Sequence, residues 1–220
     1  MKKTLALVAF AGIAAVANAD VLANWTFEVS LPTNAGPHAA EVGTGNASAF
    51  HATASTYGSV VGNGSSRSFS SNAWTLGDYY QFTTSTVGYT GITFGWDATS
   101  SNTGPRDFGL WVSNDGVNFT QIGGTFAVLA NGTPNPAWNG TTYNSAYTFA
   151  PQLVPALADN QANLTFRIVM ASTVSANGGT VAGTGTSRVD NIIIEGTLIP
   201  APGALALVGA AGLFAGRRRR

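Results

Sequence analysis

Two histidines, ten carboxylates and no cysteine limit the chemistry open to this 220-residue chain. Without Cys there is no thiol nucleophile, no disulfide and no thiolate metal site, and two His cannot build a three-histidine zinc site. Hydrolysis of a sugar needs two carboxylates across a groove, roughly 5–9 Å apart. Asp78, Asp97, Asp107, Asp115 and Glu41 are the candidates, and none sits in a motif. Asp115 belongs to a turn, and Asp78 and Asp107 fall at strand ends. A Ser/His/Asp triad would have to use His38 or His51. Both lie in small-residue, loop-like sequence and read as solvent-facing, and no Gly-x-Ser-x-Gly elbow surrounds a Ser. Gly43-Thr-Gly45 and Gly183-Thr-Gly185 lack the Lys and the helix that a phosphate loop requires. The expectation is a protein that is not an enzyme, with no catalytic residue.

Aromatic side chains offer a different chemistry, since exposed rings stack on sugar faces with help from a few polar groups. Trp111 alternates against Phe108, Leu110 and Val112 and so faces away from them. Trp138, in the loop Asn135-Pro-Ala-Trp-Asn-Gly140, is the second candidate. Each Trp also fits a place in the core. The partner in this reading is an extracellular polysaccharide. Nucleic acid is excluded by charge distribution. Six of the ten basic residues sit at the two ends, leaving Arg67, Arg106, Arg167 and Arg188 against ten acidic residues, a net −6 for the middle. Phosphate binding needs clustered positive charge.

Strands must hold these side chains. Leu164, Phe166, Ile168 and Met170 share one face with Thr165 and Arg167 on the other, and Ile92, Phe94 and Trp96 alternate with Thr93, Gly95 and Asp97. Period 2 marks a sheet with one buried face. Asn114-Asp115-Gly116 predicts a tight hairpin joining strand 107–113 to strand 117–122. Further strands are expected at 22–29, 66–72, 76–84, 125–129, 145–149 and 188–198. Segments 32–48, 53–66, 130–144 and 172–187 read as loops. About ten short strands with polar loops indicate one all-β domain, a sandwich or a barrel, over residues 20–198.

The ends read as addresses. Lys2 and Lys3, an apolar run from Leu5 to Val16, and the Ala17-Asn18-Ala19 cleavage site form a signal peptide over residues 1–19. Residues 199–220 contain Pro200-Ala201-Pro202, an apolar stretch and the cluster Arg217, Arg218, Arg219 and Arg220. The 18 uncharged residues Ile199 to Gly216 would span about 27 Å as a helix, just enough for a thin hydrocarbon core. The Arg cluster would keep that end cytoplasmic. This arrangement resembles the PEP-CTERM sorting tail of exported bacterial proteins, with Ala201 in place of the usual Glu. The resemblance implies a C-terminal transmembrane-like helix, recognition by an exosortase-type processing enzyme in the membrane, and an exported protein held transiently or permanently in the membrane, then at the cell surface or outside the cell.

A second resemblance rests on Asn24-Trp-Thr-Phe-Glu28 at the start, the run from Thr103 to Thr120, and Arg188-Val-Asp-Asn-Ile-Ile-Ile194 at the close. These segments are similar to those of extracellular jelly-roll domains, including carbohydrate-binding modules of the galactose-binding-like type. The resemblance implies a two-sheet β-sandwich of jelly-roll type, with Glu28 and Asp190 lying together and sharing a structural calcium ion. Against that, Asp190 also fits a pair with Arg188 or a loop cap, and Glu28 a solvent-facing position. The leading expectation is a non-enzymatic surface or matrix protein sorted through its tail. The alternatives are a polysaccharide-binding module and, last, an extracellular hydrolase.

Overall fold

Alternation along β9 (Asp107–Ser113) buries Phe108, Leu110 and Val112 and leaves Trp111 half-exposed on the other side. The same rule in β12 (Leu164–Met170) buries Leu164, Phe166, Ile168 and Met170 and turns Arg167 outward. Both strands were expected at these bounds. The computed structural model describes residues 18–200. They form an all-β sandwich of two sheets, jelly-roll-like, with every strand pairing antiparallel.

The first sheet has β1 (Ala19–Trp25), β3 (Val42–Gly43), β5 (Tyr57–Val60), β6 (Ser68–Ser71), β8 (Tyr89–Ser100), β11 (Thr148–Leu153) and β13 (Ser187–Leu198). One edge of β13 pairs with β8 over its whole length. Its other edge is shared by two strands, β6 against Ser187–Val189 and β1 from Ile192 onward. Asp190 and Asn191 fall in the gap between them. The second sheet runs β10 (Thr120–Ala127), β9, β12, β7 (Tyr79–Thr84), β4 (Asn46–Phe50), β2 (His38–Ala39).

Aromatic rings fill the space between the sheets. Phe94 of β8 lies 4.6 Å from Phe166 of β12 and 5.8 Å from Phe82 of β7, which in turn meets Trp25 at 5.4 Å. All four are fully buried. Each such side chain contributes about 1.5–3 kcal/mol by leaving water.

Several expectations change. Segments 32–48 and 53–66 hold β2, β3, β4 and β5. Their inward residues are mostly small, as with Ala47 and Ala49 of β4, so they carry a faint hydrophobic period, and pairing with β7 and β6 supplies the order. Strands 117–122 and 125–129 are one strand, β10, kinked by a bulge between Ile122 and Phe126 where Gly123 takes φ +64°. The hairpin is also looser than expected. Val112 pairs with Thr120, so residues 113–119 make the turn and only Gly116 has positive φ. Residues 145–147 form a short 3-10 turn before β11 begins.

The transmembrane-like helix is a correction. Among the described residues no helix is long and apolar enough to cross a membrane. The helical pieces are two 3-10 turns, Ser145–Tyr147 and Ala156–Ala158. β13 ends at Leu198, Ile199 makes a last backbone bond to Gly88 O at 2.8 Å, and the chain leaves the sheet without starting a helix at Pro200. The membrane-anchored location built on that helix is withdrawn with it. Ala17, Ala201, Pro202 and Arg217, Arg218, Arg219 and Arg220 lie outside the described residues.

Candidate functional site

Register across the second sheet lines up five outward side chains in one row. Gln121 of β10 faces Trp111 of β9, Trp111 faces Arg167 of β12, Arg167 faces Gln81 of β7, and Gln81 faces Ser48 of β4. All five are half-buried. Gly109 makes room for the indole. A Cβ there would sit 3.0 Å from Trp111 Nε1 and 2.9 Å from Gln121 Nε2, so both nitrogens lean over the same bare backbone. Among the described residues the Trp111 N–H donates to nothing, and it is not a buried atom. Trp111 therefore presents a ring and a free donor on the outer face, as its alternation predicted.

Arg167 is held more firmly than an ordinary surface arginine. Its guanidinium sits 4.0 Å from the Tyr79 ring centre and 3.9 Å from that of Phe119. Its Nε donates to Gln81 Oε1 at 2.8 Å. A ring against the guanidinium stabilises the cation by about 0.5–2 kcal/mol and fixes its plane. Partial burial holds its pKa below the usual arginine range. On the next row Phe50 stacks on Tyr79 at 5.3 Å, and Phe50 is exposed. The sequence placed Arg167 and Trp111 on outward positions of separate strands. It carried no signal that they are cross-strand neighbours, nor that Tyr79 and Phe119 hold the arginine.

A second cluster has the geometry of a catalytic triad. His51 Nδ1 lies 3.0 Å from Asp78 Oδ2, and His51 Nε2 lies 3.0 Å from Ser71 Oγ. Asp78 also accepts from the Ala52 and Thr75 backbone N–H groups. The Ser71 hydroxyl is 3.1 Å from Tyr80 Oη, which donates to Ser187 O at 2.9 Å. Burial pushes the imidazole pKa down, against the opposing pull of Asp78, and burial raises the Tyr80 phenol. Trp74 closes over the imidazole at 4.5 Å. Ser71 and Asp78 are each 1% exposed. A nucleophile needs a path for its substrate and donors for the oxyanion. Ser71 is walled in by β6, Tyr80 and Trp74, so the cluster acts as a buried polar tie. His51 and His38 are both corrections to the solvent-facing expectation. His38 is buried, packs edge-on against Phe69 at 5.2 Å and bonds Asn34 O at 2.9 Å.

Asp190 fills the gap between β1 and β6. Its Oδ2 accepts from the Asn63 N–H at 2.9 Å and the Ser65 hydroxyl at 2.7 Å, and its Oδ1 from the Asn191 N–H at 2.8 Å. Burial raises its carboxyl to about 7. Asp97 pairs with it across β8 and β13 and accepts from the side chains of Asn63 and Asn191. Glu28 is exposed, and its Oε1 accepts from the Arg67 N–H at 2.7 Å. Calcium takes six to eight oxygens. Donors engage both oxygens of Asp190, Oδ2 of Asp97 and Oε1 of Glu28, and among the described residues no three acidic or His side chains cluster for a metal. Glu28 and Asp190 are each engaged by different backbone N–H groups, and among the described residues no hydrogen-bond donor is shared between them.

The remaining candidates are satisfied locally. Trp138 is 6% exposed, donates from Nε1 to Val61 O at 2.8 Å and meets Tyr147 edge-on at 5.2 Å. It is therefore a clamp between loops, which corrects its reading as a stacking platform. Asp107 pairs with Arg106 at 2.8 Å, and that hydrogen bond lowers its pKa. Asp115 accepts from Val117, Asn118 and Ser113 in its own turn, which lowers its pKa strongly. Glu41 gathers the N–H groups of Thr26, Val29 and Ser30 and the Thr26 hydroxyl.

No family model and no curated protein matches this sequence. Several solved structures are similar to it in fold. The CBM22-2 xylan-binding domain of Paenibacillus barcinonensis Xyn10C is 15% identical, with TM-score 0.47 over 80% of this chain and 99% of that one. The K3 cleaved adhesin domain of Lys-gingipain from Porphyromonas gingivalis is 14% identical, with TM-score 0.44 over 80% and 98%. The CBM22-1–GH10 part of Clostridium thermocellum xylanase 10B is 16% identical, with TM-score 0.45 over 82% and 30%. At these identities the likeness is one of fold.

Proposed function

We propose that this chain is a non-catalytic module that binds polysaccharide on the outer face of its second sheet. The observation that carries this reading is Trp111. It is a half-exposed ring with an unspent N–H, on a row with Gln121, Arg167 and Gln81. Stacking on the ring supplies affinity and the polar neighbours orient the sugar hydroxyls. The carboxylates and histidines that hydrolysis would need are consumed by internal partners. The test is a glycan array probed with the full-length chain and with Trp111→Ala. Retention of specific binders by the wild type and their loss in the variant supports the reading. Equal binding by both, or none by either, removes it.

The ends add a separate proposal about address. Removal of residues 1–19 at Ala17-Asn18-Ala19, and reading of Pro200, Ala201, Pro202 and Arg217, Arg218, Arg219 and Arg220 by an exosortase-type enzyme, together describe an exported, sorted protein. The residue types and their order support it. The mass of the mature protein from its own host tests it. A mature chain that starts at Met1 and ends at Arg220 refutes both parts.

A further inference from the structure

We infer that the saccharide taken by this face is anionic, a polymer with carboxylates on its sugar rings, and that Arg167 is the residue that selects it. The inference rests on the polysaccharide-binding reading above and narrows it. All ten acidic side chains lie among the described residues. Their ion pairs are His51 with Asp78 and Arg106 with Asp107. Arg167 pairs with none of them. One of its N–H groups is spent on Gln81, and the terminal nitrogens make no hydrogen bond among the described residues. A guanidinium fixed between two rings, with its fork unspent, matches a carboxylate that can take two parallel bonds.

The surroundings point the same way. Across the outward positions of β4, β7, β9 and β12, Arg167 is the one cation, and the one carboxylate there, Asp107, is already paired with Arg106. Its neighbour Trp111 offers a donor, and so does the Gln121 amide beside it. Donor-rich rows favour a ligand rich in acceptors. The spacing also fits. Adjacent strands lie about 4.8 Å apart, a span covered by a sugar ring on the Trp111 indole and a carboxylate one bond outside that ring. The acidic balance of the rest of the domain works against long-range capture of a polyanion. Selection therefore falls on this local contact, and binding should be salt-sensitive through one charge.

The experiment measures binding of the full-length chain to polygalacturonate, alginate and glucuronoxylan, each beside its carboxyl-reduced neutral form. Expected is binding to at least one acidic polymer, at least tenfold weaker to its reduced form. Arg167→Gln should lose that preference, Arg167→Lys should keep part of it, and 0.5 M NaCl should weaken the wild type more than Arg167→Gln. Unchanged unfolding midpoints show that the variants are folded. If the chain binds neutral and acidic forms alike, or Arg167→Gln leaves acidic binding intact, the selection by Arg167 is wrong while the binding face stands. Binding to no polymer of either kind, here and on the glycan array, overturns both.

Discussion

The outer row of the second sheet and the buried cluster around His51 use similar residue types to opposite ends. In the cluster, Asp78 Oδ2 meets His51, His51 meets Ser71, Ser71 meets Tyr80 and Tyr80 meets Ser187 O, with each contact between 2.9 and 3.1 Å. Each of these side chains has found a partner within the chain, as burial demands. In the row, the Trp111 N–H and the terminal nitrogens of Arg167 have none among the described residues. Triad-like geometry marks structure here, and unspent donors mark the face proposed to bind. Satisfaction of the groups separates the two more reliably than their identity does.

The largest effect should come from the buried side. Asp78→Ala strands the His51 imidazole and the Ala52 and Thr75 N–H groups, and should cost about 3–5 kcal/mol in urea unfolding. A loss under about 1 kcal/mol would show that the cluster is not a structural tie.

Asp190 gives the second test. Its carboxyl titrates near 3.8 in the unfolded chain and at about 7 in the fold. The raised value means the folded state holds the proton, so the linked stability is present below about pH 4 and lost as pH rises toward 7. Asp190→Asn removes that slope. The melting temperature of the variant minus that of the wild type, taken in chelator, should grow from pH 4 to pH 7.5. A flat difference means Asp190 is ionised in the fold.

Trp111→Ala should act in the other sense. Binding should fall at least about tenfold, ~1.4 kcal/mol, while unfolding shifts by less than about 1 kcal/mol, as at a surface position. Comparable losses in stability and binding would erase the contrast between the regions. The smallest effect is expected from Gly109→Ala. The new Cβ would push on Trp111 Nε1 and Gln121 Nε2, both side-chain atoms free to shift. Polysaccharide titration should show a severalfold loss, smaller than for Trp111→Ala, with stability unchanged.

Parts of this were legible beforehand. β9 and β12 lie where period 2 placed them, and Trp111 and Arg167 face outward as their alternation requires. Trp138 could not be read, because its burial depends on loop 130–144 folding over Val61, 77 residues away in sequence. β4 was hidden because Ala47 and Ala49 are too small to announce an inward face.

The chain by itself determined which residues share a face within a strand, since that follows from local backbone geometry. It also determined the excess of carboxylates over arginines and the absence of thiol chemistry. Tertiary structure alone decided which strands are neighbours. That choice set Arg167 beside Trp111 and between Tyr79 and Phe119, and it brought Asp78, His51 and Ser71 together in the interior. Strand order depends on how both sheets bury their inner faces at once, and this long-range packing is not encoded in the period of any single strand.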